Sequence, residues 1–114
     1  MHGRIRLVAV AARREFEQGL ILLSLLKKLY QKYNPEINDL DAFMTQAWHI
    51  FPKGNCGLTT VYLQHKLGGE IMQGRYGHHN HTFLLINDTL VDITADQFGG
   101  PDVYVGSVAR PWSI

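Results

Sequence analysis

The hydrophobic periodicity of this chain changes once, at Gly68-Gly69. Before that point, apolar residues recur at helical spacing: Phe16, Leu20, Leu23 and Leu26 in one stretch, and Leu58, Val61, Tyr62 and His65 in another. After it, 81–86 and 89–94 are β-rich runs separated by Asn87-Asp88, a pair that reads as a two-residue hairpin turn. Helices followed by strands predict an α+β fold, with N-terminal helices and a cysteine-bearing helix packed on a small antiparallel sheet.

The element boundaries follow from local signals. Residues 4–33 read as helical, with Gly19 as the point where the stretch divides in two, and Asn34-Pro35 as the stop. Asn38 or Asp39 caps the next helix, which runs to about Trp48. Residues 52–55 form a loop, and a further helix runs from Cys56 to Leu67. Glu70 to Gln73 reads as a short strand, 74–77 as a Gly-rich loop, and Val103 to Val105 as another strand. At 114 residues the chain is expected to be one domain, 1–50 helical and 51–114 carrying the cysteine helix and the sheet.

Composition narrows the function. With 46% hydrophobic residues and a formal net charge of +1, the chain has the apolar content for a core and is not a disordered segment. Lys plus Arg number 11 against 10 acidic residues, which argues against nucleic acid as a partner. The basic residues Arg4, Arg6, Arg13, Arg14, Lys27, Lys28 and Lys32 read as a solvated face. The apolar runs at 7–12 and 20–26 are far shorter than the roughly 20 residues a membrane span needs. Neither resembles a secretory signal, so the expected location is the cytoplasm, or wherever another route delivers the domain.

The single cysteine excludes a disulfide framework and a multi-cysteine zinc finger. It lies in Gly54-Asn55-Cys56-Gly57, where a glycine-containing loop meets a helix N-terminus. Free N–H groups and the positive end of the helix dipole stabilise a thiolate there. A loop–helix junction between polar residues is a poor place to bury a thiol, so Cys56 is the candidate nucleophile.

The hairpin register supplies its partners. A two-residue turn at Asn87-Asp88 sets Ile86 opposite Thr89, Phe83 opposite Asp92 and His81 opposite Thr94. His81 and Asp92 then share a sheet face as diagonal neighbours about 7–8 Å apart. That separation lies within reach of an imidazole–carboxylate hydrogen bond. If the cysteine helix covers this face, Cys56, His81 and Asp92 converge. His81 would take the thiol proton and Asp92 would orient the imidazole.

Asn55-Cys56-Gly57, His81-Thr82-Phe83 and Asp92-Ile93-Thr94, in that order, resemble the papain-like cysteine hydrolase superfamily in its broad sense. That group includes transglutaminase-like proteins and NlpC-type endopeptidases. The resemblance covers about residues 50–98 and implies a papain-like fold with cysteine at the start of a helix and its partners on adjacent strands. Asp92 to Phe98 is similar to a stretch in small bacterial and phage-borne members. One departure is that Ile50 and Phe51 stand where papains carry an oxyanion-hole glutamine. The backbone N–H of Cys56 and a further donor would have to serve instead.

These features predict a thiol hydrolase or acyl transferase that cleaves an amide in a peptide or protein through a Cys56 thioester, with no cofactor. The small size points to an effector or accessory enzyme acting on a macromolecule. Two rival readings stand beside it. His78, His79 and His81 supply the makings of a metal-binding module, and the same shell serves equally as a non-enzymatic binding module. Tyr76, Asp96 and Gln97 are polar residues available to a cleft or to structure, while Trp48, Phe51 and Phe98 read as core.

Overall fold

A computed structural model describes residues 2–114. Among these lie four α-helices and a five-stranded antiparallel sheet, an α+β fold. The helices are α1 (Gly3–Gln18), α2 (Leu23–Tyr33), α3 (Leu40–Ile50) and α4 (Cys56–Leu67). The strands are β1 (Glu70–Tyr76), β2 (His79–Ile86), β3 (Thr89–Asp92), β4 (Tyr104–Ser107) and β5 (Trp112–Ser113), with a 3-10 turn over Ala95–Phe98. Their order across the sheet is β4-β3-β2-β1-β5. No helix among the described residues is long and apolar enough to cross a membrane.

The helix stretch divides at Gly19, whose backbone N–H closes α1 on Phe16 O. Asp39 caps α3 by accepting from Ala42 N at 3.0 Å. The β2–β3 register is the one that Asn87-Asp88 dictates, with Leu84 opposite Val91 and Ile86 opposite Thr89.

The sheet separates two cores because side chains alternate along each strand. Leu84 and Val91 face the helices and pack in one cluster with Leu58, Val61 and Leu63 of α4. Phe83 and Leu90 face the other way and cluster with Ala95 and Trp112. The sheet curls over this second core until its two edges meet. Tyr104 of β4 and Trp112 of β5 stack with ring centroids 4.0 Å apart.

Several expectations are corrected. β1 continues through the expected Gly-rich loop to Tyr76, since Gly74 belongs to the ladder opposite His81. A Cβ at Gly74 would lie 2.7 Å from Phe83 Cζ, so glycine here marks close packing rather than a turn. β3 stops at Asp92 instead of Thr94, where the chain turns and Thr94 N bonds back to Asp92. The last long strand is Tyr104–Ser107 rather than 103–105. On α4, His65 is exposed while Thr59, Thr60 and Leu63 are buried beside the expected apolar face.

Arg13 is not part of a solvated face. It is 7% exposed, and its guanidinium forks onto both oxygens of Asp96 at 2.7 and 2.8 Å. It also donates to Ile93 O at 2.8 Å and lies over the Phe51 ring. A buried guanidinium needs this many acceptors to offset lost hydration. The clamp ties α1 to the segment that follows β3.

Candidate active site

Cys56 is the first residue of α4, and its position is fixed from several sides. Gly54 has φ 71, a backbone conformation that glycine adopts without strain, and its N–H donates to Gln97 Oε1 at 3.2 Å. Asn55 is buried, and its side-chain amide donates to Ala47 O and Lys53 O at 3.1 and 3.0 Å. The Thr60 hydroxyl donates to Cys56 O at 2.6 Å. The thiol is half-buried.

His81 and Asp92 are each 2% exposed. His81 Nε2 lies 2.7 Å from Asp92 Oδ2. A carboxylate accepts and does not donate, so Nε2 carries the hydrogen of this bond. The same carboxylate accepts from Trp112 Nε1 at 2.8 Å and, through Oδ1, from Thr94 N at 2.9 Å. Trp112 and Thr94 were not legible as site residues. The C-terminal Arg-Pro-Trp-Ser-Ile has no periodicity to place it, although a buried indole usually finds a partner for its N–H.

With Nε2 committed to Asp92, the nitrogen left for the thiol is Nδ1. Nδ1 is buried and makes no hydrogen bond among the described residues. It is nevertheless close enough for thiol and imidazole to shift one another. Burial pushes the Cys56 thiol up, but His81 and the Thr82 backbone and hydroxyl outweigh it, leaving the thiol below its ordinary value. Burial pulls His81 down, but the contacts and charges of Asp92 and Cys56 lift it to about 9. Catalytic contacts of this kind are commonly loose before substrate binds.

The sequence thus places His81 and Asp92 on one face as observed, but α4 does not cover that face. The helix packs with Leu84 and Val91, which alternate with His81 and Asp92. The His81 side is closed by aromatic rings: Phe98 edge-on at 5.2 Å and Tyr76 at 6.3 Å. Cys56, the first residue of α4, lies beside His81. The two share a cavity of about 450 Å³ with Gln73, Gly74, Asn80 and Thr82.

The other polar residues separate. His79 is exposed and stacks on Phe98 at 4.3 Å, and His78 is exposed in the preceding turn. No three His, Cys, Asp or Glu residues come together to hold a metal ion among the described residues, so the three histidines do not form a ligand set. Asp96 is held by Arg13, and Gln97 steadies Gly54. Phe98, expected in the core, is half-buried over His81 and His79.

Comparison with known proteins places the chain elsewhere than the motifs suggested. The family model described as YunG protein matches residues 24–111. A protein of Bacillus subtilis (strain 168), described as uncharacterized protein YunG, is 35% identical over 51 residues. The matched stretch is 45% of this chain and 44% of that protein, less than half the relative's length. No solved structure matches the chain. The resemblance to the papain-like superfamily is corrected by these matches. Cys-His-Asp constellations recur on unrelated folds, so three short motifs carry geometry rather than descent. The family model covers most of the chain, which belongs to the YunG family.

Proposed function

We propose that the protein is a thiol-dependent hydrolase or acyl transferase acting on an amide bond, with Cys56 as nucleophile, His81 as acid and base, and Asp92 as its orienting partner. One observation carries the reading: a buried histidine, bonded to a buried carboxylate through Nε2, keeps Nδ1 free and shares a cavity with a thiol at a helix N-terminus. The lowered thiol and the raised imidazole favour a thiolate–imidazolium pair.

In the first step the thiolate sulfur bonds to the amide carbonyl carbon. The developing oxyanion meets the unpaired N–H groups at the start of α4. The C–N bond breaks as the leaving nitrogen takes the Nδ1 proton, which leaves a thioester on Cys56 and neutral His81. Water or an amine then gives its proton to Nδ1 and adds to the thioester. The C–S bond breaks, thiolate returns, and acid or transferred product departs. Peptidase, deamidase and acyltransferase outcomes share these steps. They differ in the amine released and in the group that resolves the thioester. A working thiolate suits a reducing compartment, which supports a cytoplasmic site of action or delivery there as an effector.

The test is alkylation of Cys56 by iodoacetamide across pH, followed by intact mass. The expected midpoint lies well below the free-thiol value of about 8.5. A midpoint at or above that value overturns the reading.

A further inference from the structure

The cavity at the thiol has an apolar neighbour. Gln73 lines the thiol cavity, and its side-chain amide donates to Tyr33 Oη at 3.1 Å. Tyr33 in turn lines a second cavity of about 550 Å³ between α2, α4 and the start of β1. Leu29, Val61 and Ile71 give this cavity aliphatic walls, and Lys32 and His65 give it a basic side. Among the described residues no carboxylate lines either cavity. The Gln73–Tyr33 hydrogen bond is thus the bridge between a nucleophile and an apolar pocket of ligand-binding size.

The sheet adds a main-chain feature beside it. β5 pairs with β1 only at Arg75 and Tyr76. On that side residues 70–73 have no strand partner among the described residues, and their backbone groups are open to an extended chain.

We propose that the substrate is an extended polypeptide that sets an apolar side chain in the α2–α4 cavity, points a neighbouring carboxylate at Lys32, and lays its scissile amide beside Gln73 at Cys56. The proposal rests on the thiol reading above. A small free amide would use the thiol cavity alone and leave the second cavity, the basic side and the open strand edge without a role. A polypeptide uses all three, and the basic, carboxylate-free lining selects an acidic neighbour over a basic one.

The experiment uses peptidyl chloromethyl ketones, whose methylene carbon bonds to the Cys56 sulfur as the C–Cl bond breaks and chloride leaves. Three probes serve: acetyl-Asp-Leu-Gly, acetyl-Asp-Gly-Gly and acetyl-Lys-Leu-Gly chloromethyl ketone. Each alkylation rate is divided by the iodoacetamide rate of the same protein. The Leu probe is expected to exceed the Gly probe by about tenfold, the order that filling an apolar pocket gives. The Asp probe is expected to exceed the Lys probe severalfold, and exposed Lys32→Glu to reverse that preference. Equal rates for the Leu and Gly probes, or an Asp preference unchanged in Lys32→Glu, overturn the proposal. Iodoacetamide labelling with the midpoint of a free thiol is a distinct result that overturns the thiol reading itself, and this proposal with it.

Discussion

Trp112 donates its indole N–H to the same Asp92 oxygen that holds His81, at 2.8 Å against 2.7 Å. The last strand of the fold therefore sets the orientation of a carboxylate on β3. Replacing Trp112 by Phe keeps a ring beside Tyr104 and removes the donor. Leaving a buried acceptor short of a partner costs about 1–3 kcal/mol. Chemical denaturation should show that loss, and the rate of Cys56 alkylation by iodoacetamide should fall with it although residue 112 does not line the thiol cavity. A variant of wild-type stability and reactivity would show that the indole bond does not position Asp92.

Asp92→Asn is the sharper substitution. An Asn side chain presents an N–H₂ group as readily as an oxygen to Nε2, and then favours the tautomer with hydrogen on Nδ1, where the thiol proton has to go. Thiol activation should fall by at least about a hundredfold. Because Asp92 is buried under three donors, a loss of about 1–3 kcal/mol is expected too. The alkylation pH profile distinguishes the two effects, since its midpoint should rise toward that of a free thiol. Asp88→Asn, in the exposed hairpin turn, is the control. Asp96→Asn is not one, because Arg13 depends on it.

The hairpin was legible because Asn87-Asp88 leaves one register that buries both faces of its strands, and that register alone puts His81 and Asp92 together. Cys56 was legible from its glycine-flanked helix start. What closes the site was not. Trp112 and Phe98 come from segments without periodicity, and their places depend on how far the sheet curls. Sequence alternation says which side chains share a face, but not which element covers it. That is why α4 was expected over His81 and instead packs on Leu84 and Val91. Arg13 was misread for a similar reason, since a row of cations on a helix does not reveal which one a distant carboxylate will take.

The Cys56–His81 pair gives stability a pH signature. His81 is raised from 6.5 to about 9, so its contribution is complete below the unfolded value and is lost as pH rises through about 9. The Cys56 thiol is lowered, so its contribution is present above its unfolded value and is lost as pH falls through the lowered one. Both groups are charged only between the lowered thiol value and about 9. Cys56→Ser removes the thiolate, so the stability advantage of wild type over this variant should shrink as pH drops through the thiol titration. Denaturant midpoints measured from acid to alkaline pH test this. A difference that stays flat across the range would show that no thiolate–imidazolium pair forms. His81→Gln should raise the alkylation midpoint toward about 8.5, whereas His78→Ala and His79→Ala should move it little, since neither ring lines the thiol cavity.

Arg13 connects the site to the helices at long range. Its guanidinium holds Asp96 through two parallel bonds and takes the carbonyl of Ile93, the residue after Asp92. Arg13→Met should cost about 3 kcal/mol, because it leaves the Asp96 carboxylate without its partner in a partly buried place. Arg13→Lys keeps the charge but cannot fork onto both oxygens, so it should recover only part of that loss. Asp96→Asn in the Arg13→Met background should cost little more, since the carboxylate being removed has already lost its partner. Thermal or chemical denaturation of the double-mutant cycle measures the coupling. Additive losses from the two substitutions would show that Arg13 stabilises the fold through its contacts with Phe51 and Ile93 rather than through Asp96.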